Sequence, residues 1–137
     1  MDTFKYLNNC IKTDIAPSPI HGIGTFALRD IKIGEPLFER WDGETTTYTL
    51  THLEFEQLPI YVKRIILKSY ENIRGEYPFV WFKLYNDGYF NLANPLAYTN
   101  TLGVKKANFN TRNKIAIKHI KEGEELFGTY DLDSTIL

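Results

Sequence analysis

The sequence predicts a mainly β protein of short strands, broken by one helical insert. Three observations carry that expectation. Apolar residues alternate around glycine-bearing turns, the period turns helical between Thr51 and Ile73, and one strand–turn–strand corner is echoed later in the chain. Of the 137 residues, 43% are hydrophobic and 15% aromatic. That stock is enough to bury a core in a single domain over 1–137, and it argues against disorder.

Taken in order, Pro17, Ser18 and Pro19 punctuate the entry to "HGIGTFALRDIKIGEPLFER". Within it, Phe26 and Leu28 alternate with smaller or charged neighbours and Gly34 sits in a turn, so Gly24–Phe38 reads as strand, turn, strand. "ETTTYTLT" (Glu44–Thr51) is threonine-rich and suits a strand. Thr51 and Glu54 have the spacing of a capping box ahead of "LEFEQL". Pro59 then interrupts, and Val62, Ile65, Ile66 and Tyr70 recur near helical spacing. Thr51–Ile73 is therefore expected to be one broken helix or two short ones, and the only helical part of the chain. "FVWFKLYNDGYFNL" (Phe79–Leu92) suggests a hairpin turning at Asn86-Asp87-Gly88.

The echo aligns Gly24–Phe38 with Asn113–Phe127 without gaps. Ala27/Ala116, Ile31/Ile120, Lys32/Lys121, Gly34/Gly123, Glu35/Glu124, Leu37/Leu126 and Phe38/Phe127 are identical pairs. One echo is too few for a repeat array. It is either two similar corners in one β domain or a coincidence of like turns.

Charge and motifs exclude several function classes. Sixteen basic and 17 acidic residues leave a net charge of −1, without the basic surplus of a nucleic-acid binder, so no direct nucleic-acid partner is expected. Lys105, Lys106, Arg112, Lys114, Lys118 and Lys121 read as a solvated face. A single cysteine, Cys10, rules out an internal disulfide and a Cys-rich zinc site, and fits a reducing intracellular compartment. No stretch has signal-peptide or membrane-spanning character, so no membrane partner is expected. Gly22-Ile23-Gly24 is not a dinucleotide loop, because prolines precede it and a turn, not a helix, follows. His21, His52 and His119 are scattered, with no metal-ligand spacing. Glu122, Glu124 and Glu125 form an acidic run expected to be a solvated turn. The nine tyrosines and nine phenylalanines suit either ordinary packing or a narrow aromatic channel for an alkyl-ammonium group.

Together, several segments resemble the SET-domain protein lysine methyltransferases. The family's opening Gly-x-Gly segment is matched by "HGIGTFALRDIKIGEPLFERWDGE", and its closing Ile-x-x-Gly-Glu-Glu-Leu turn and tyrosine by "IAIKHIKEGEELFGTYD". A variable insert between them corresponds to Thr51–Ile73. The Asn-His-Ser…Pro-Asn segment falls at "NPLAYTNTLGVKKANF", where Asn100 keeps the first Asn, Thr101 replaces His and Leu102 replaces Ser; Asn108 would serve as the second Asn only with a longer loop.

The resemblance implies a SET-like (β-clip) fold of several small antiparallel sheets with a knot-like C-terminal region. It implies methyl transfer from S-adenosylmethionine to a lysine side chain of a protein, such as a histone-like tail. Tyr130 would be catalytic; His21, Gly22, Ile23, Gly24, Asn100 and Thr101 would bind the cofactor; Phe82, Tyr85 and Tyr98, with Trp81, would line the substrate channel. No metal is implied, and the sequence leaves the oligomeric state open, a homodimer included. The setting would be cytoplasmic, or nuclear in a eukaryotic cell. The Thr101 departure keeps an alternative open, a SET-like module that binds cofactor or protein without catalysis.

Overall fold

The computed structural model describes residues 2–70, 72, 79–91, 94–101 and 106–129. The chain divides into two compact units, 1–11 with 39–92 and 12–38 with 93–137. Small sheets and short helices make up both, and the mainly β expectation holds.

The first unit begins with helix α1 (Thr3–Asn9), whose first turn is capped by Asp2 accepting from the Lys5 amide at 2.9 Å. This helix corrects the expectation that 51–73 is the only helical part. Its seven residues are too few for a periodic signal, and it is held by burying Tyr6 and Leu7 rather than by propensity. Strand β3 (Thr46–Thr51) pairs antiparallel with β4 (Phe79–Leu84), from Thr46 opposite Leu84 to Thr51 opposite Phe79. Along β4 the alternation is plain, with Val80, Phe82 and Leu84 buried.

β4 does not turn back at Asn86-Asp87-Gly88 into a hairpin partner. Its partner is β3, and the turn docks on Trp41 instead: the Asp87 amide donates to Trp41 O (2.7 Å) and the Trp41 amide to Gly88 O (2.9 Å). Tyr6, Trp41, Tyr48 and Phe82 form a run of ring contacts spaced 5.2, 5.5 and 6.2 Å.

The insert consists of two helices, α2 (His52–Glu56) and α3 (Ile60–Ser69). Thr51 and Glu54 form the reciprocal capping box that their spacing suggests. Pro59 starts α3, which buries Val62, Ile65 and Ile66. Residues 71 and 73 of the expected insert lie outside the described residues.

In the second unit β1 (Thr13–Pro17) pairs antiparallel with β2 (Ile23–Ala27). A second sheet has the order β6 (Ile115–Ala116), β5 (Phe109–Asn110), β7 (Gly128–Thr129). The β5–β7 pair is parallel, so this sheet is mixed rather than antiparallel throughout. The strand expected after Gly34 is reduced to a single bridge between Pro36 and Ile115. Pro36 has no amide to donate, which limits a ladder there. A knot-like C-terminal region was also expected, and the last residues, 130–137, lie outside the described residues.

The two echoed corners turn out to be each other's partners. Ile31 and Ile120 exchange both backbone hydrogen bonds (2.7 and 2.8 Å). Around them the backbone bonds recur in pairs at the same offset. The Ala27 amide bonds Glu124 O and the Ala116 amide bonds Glu35 O, each at 2.9 Å. The Gly123 amide bonds Ala27 O and the Gly34 amide bonds Ala116 O, each at 2.8 Å. Gly34 (φ +92°) and Gly123 (φ +88°) both take the left-handed conformation that glycine adopts without steric cost.

Candidate functional site

The site grows from the Ser18–Gly24 segment. The Ser18 amide donates to Gly22 O at 2.8 Å, closing a turn around Gly22 at φ +49°. The Ser18 hydroxyl oxygen accepts from the Ile20 amide (3.0 Å) and the His21 amide (3.3 Å), fixing the turn's interior. The same hydroxyl donates to the Glu125 carboxylate, 2.8 and 3.0 Å from its two oxygens. Gly24 is buried directly against that carboxylate. A Cβ there would lie 2.8 Å from Glu125 Cδ and 3.1 Å from Ser18 Cβ, with Oε2 closer still. The second glycine of the pair thus makes room for a carboxylate of its own chain.

Asn100 arrives from the far side of the sequence. It follows the short 3-10 helix Pro95–Tyr98, which is capped by Asn94, and it bridges Phe127 beside β7. Its amide nitrogen donates to Glu125 Oε2 at 2.7 Å and to His21 O at 3.3 Å. Two segments far apart in sequence are thereby tied through one carboxylate.

Above this cluster lies an open groove of about 430 Å3, lined by His21, Gly22, Ile23, Ala97, Tyr98, Thr99 and Asn100. Ile23 and Tyr98 are 47% and 40% exposed, leaving an apolar wall uncovered. The groove brings together His21, Gly22, Ile23 and Asn100 with the channel candidate Tyr98, and Gly24 lies buried next to it in β2. Thr101 faces a second groove, of about 440 Å3, with Asn94, Leu96, Ala97, Thr99, Thr111 and Lys114.

The other candidates fall elsewhere. Phe82 is wholly buried in the first unit, stacked on Tyr48. Tyr85 is exposed in that unit, with Lys83 Nζ 5.1 Å from its ring centre. Trp81 packs edge-on to Tyr70, and Asn72 brackets its backbone with two 3.0 Å bonds. Tyr130 lies outside the described residues, immediately after β7. Asn108 clamps the strand leading there, donating to Glu125 O (2.9 Å) and accepting from the Phe127 amide (2.8 Å). Among the described residues no cluster of three or more His, Cys, Asp or Glu is placed to hold a metal, and no helix is long and apolar enough to cross a membrane.

Sequence reasoning missed Glu125 and Ser18. The acidic run was expected to be solvated, but Glu125 is only 8% exposed and its carboxylate accepts from the Ser18 hydroxyl and the Asn100 amide. A signal for it existed in the echo. Glu125 occupies the position of Pro36, one of the places where the two corners differ.

No protein-family profile matches the sequence, and no curated protein matches it. Solved structures do show likeness. The methyltransferase domain of human PR domain-containing protein 2 is similar over 88% of this chain and 77% of its own, at 16% identity and a TM-score of 0.41. A candidate histone methyltransferase of Plasmodium falciparum is similar over 88% and 94%, at 18% identity and a TM-score of 0.39. In Chaetomium thermophilum Polycomb Repressive Complex 2 without ligand, a chain is 26% identical with a TM-score of 0.38, and this protein spans 15% of it. TM-scores of this size do not identify a shared fold, so function has to be read from the site's own residues.

Proposed function

We propose that the protein is a SET-like methyltransferase, one domain over 1–137, that moves a methyl group from S-adenosylmethionine to a lysine side chain of an intracellular protein, such as a basic tail. The observation that carries this reading is the convergence of Gly22-Ile23 and Asn100 in one groove, the two segments that the family resemblance assigns to the cofactor.

The residues present fit such a group. The groove's volume falls in the range of small-molecule sites. Ile23 and Tyr98 offer an apolar wall, Gly22 exposes backbone without a side chain in the way, and Asn100 adds a polar atom. S-adenosylmethionine supplies an electrophilic methyl carried on a sulfonium. The protein's part is positioning, because in-line displacement depends on distance and alignment. The attacking lysine, with an unperturbed pKa of about 10.4, has to lose its proton, and an apolar aromatic surround favours the neutral amine. Tyr130 would orient that amine through its hydroxyl.

The test is incubation with labelled S-adenosylmethionine and a panel of basic protein tails, beside Tyr130→Phe. Label should pass to lysine, and the substitution should cut the rate by about two orders of magnitude while leaving cofactor affinity unchanged. Transfer indifferent to Tyr130→Phe would remove the assigned role.

A second reading is favoured by Thr101, which stands where the family has His and faces the neighbouring groove rather than the first. In that reading the module binds without catalysing. Cofactor-induced thermal stabilisation with no transfer to any tail would select it.

A further inference from the structure

Beside the groove, the Glu125 carboxylate accepts hydrogen bonds from the Ser18 hydroxyl and the Asn100 amide. We infer that Glu125 is a positioning residue. Its carboxylate fixes the Ser18–Gly22 turn and orients the Asn100 amide, so that the groove offers an acceptor oxygen and selects ligands that bring a hydrogen-bond donor.

A carboxylate accepts hydrogen bonds and donates none. Facing it, the Asn100 side chain has to present its nitrogen, as found, at 2.7 Å from Oε2. The second amide hydrogen goes to His21 O at 3.3 Å. Both hydrogens are therefore committed inward. The remaining polar atom, Oδ1, accepts nothing among the described residues, and Asn100 lines the groove. The Ser18 hydroxyl is set in the same way. It donates to Glu125, which leaves its lone pairs to the Ile20 and His21 amides.

Gly24 closes the arrangement, because a Cβ there would overlap the carboxylate. The polarity runs in one direction, from an acceptor at Glu125 through donors at Ser18 and Asn100 to an acceptor at the groove. A ligand with an amino or ammonium group satisfies it; one presenting only carbonyl or phosphate oxygens there does not.

The link to S-adenosylmethionine rests on the methyltransferase reading, whereas the polarity chain does not, so the experiment has two readouts. NMR follows exchange of the Asn100 side-chain amide and of the Ile20 and His21 backbone amides. Calorimetry follows S-adenosylmethionine binding. Both are applied to the full chain as wild type, Glu125→Gln, Ser18→Ala and, as a control on the same turn, Glu124→Gln.

Glu125→Gln replaces one acceptor oxygen with a donor nitrogen. It should speed exchange of the Asn100 amide by about tenfold or more and weaken cofactor binding by on the order of tenfold, as expected for losing a hydrogen bond to a charged group. Ser18→Ala should speed exchange at Ile20 and His21, and it covers the case in which Glu125→Gln does not fold. Glu124→Gln should leave all these amides and the affinity within about twofold, as most exposed substitutions do.

Unchanged exchange in Glu125→Gln and in Ser18→Ala overturns the positioning role. Changed exchange in a protein whose wild type binds no S-adenosylmethionine upholds the positioning role and overturns the methyltransferase reading instead.

Discussion

The two echoed corners, Gly24–Phe38 and Asn113–Phe127, share a backbone and differ in what they carry. Identical residues occupy the positions that hold the frame. Ile31 and Ile120 are paired and buried, Gly34 and Gly123 take the same left-handed turn, and Glu35 and Glu124 each accept the amide three residues earlier, Lys32 at 3.0 Å and Lys121 at 2.6 Å. The site sits where the corners disagree. Gly24 stands opposite Asn113 in the alignment, and Pro36 opposite Glu125. A shared scaffold needs sameness at its contacts, and chemistry has been placed at the positions the scaffold leaves free.

The strongest way to break this comparison is to remove the paired isoleucines. Ile31→Ala and Ile120→Ala, at 0% and 1% exposure, should each lower stability by about 3 kcal/mol in urea unfolding. The double variant should lose less than the sum, because directly paired residues couple. If one corner tolerates the change and the other does not, the two do not share the load.

A smaller effect sharpens the difference between the corners. Gly24→Ala should cost about 2 kcal/mol, since its Cβ pushes into Glu125. Asn113→Ala removes an exposed side chain whose oxygen accepts the Ile115 amide at 3.1 Å, and should cost about 0.5 kcal/mol. Thermal melts of the two variants rank them. Equal losses would show that the carboxylate gives way and that the glycine is not needed for it.

The smallest expected effect is acid sensitivity at Glu35. Its carboxyl is held below the usual value, first by the Lys32 amide and then by Lys12, whose Nζ lies 3.3 Å from Oε2. A carboxyl with a lowered folded-state pKa contributes stability at pH above its ordinary value and loses it as pH falls through the lowered one. Stability should therefore drop as pH falls below about 4.5, by on the order of half a kcal/mol for a partly exposed pair. Melting curves of Glu35→Gln should lack that portion of the acid slope. An identical slope in the variant would assign the acid loss to other carboxyls.

The resemblance and the structure meet at four residues, His21, Gly22, Ile23 and Asn100, which the sequence motifs single out and the groove unites. Phe82 was less legible, since residue type alone does not separate a channel wall from a buried ring stacked on Tyr48. Helix α1 was missed because its capping residue, Asp2, precedes only seven helical residues. The hairpin expected at Asn86-Asp87-Gly88 failed for a related reason: a turn signal says that the chain bends, not which strand it bends toward.

By itself the sequence determined the local chemistry: the Thr51/Glu54 capping box, the break at Pro59, the alternation along β4 and the glycine turns at 34 and 123. Each depends on side chains and dihedral angles only a few residues apart. Only the tertiary structure decided that the two corners pair with one another, that Glu125 is buried among Ser18, Gly24 and Asn100, and that β4 takes β3 as its partner. Those outcomes depend on which distant backbone groups and apolar faces satisfy each other. That competition is settled across the whole chain, not within any window of it.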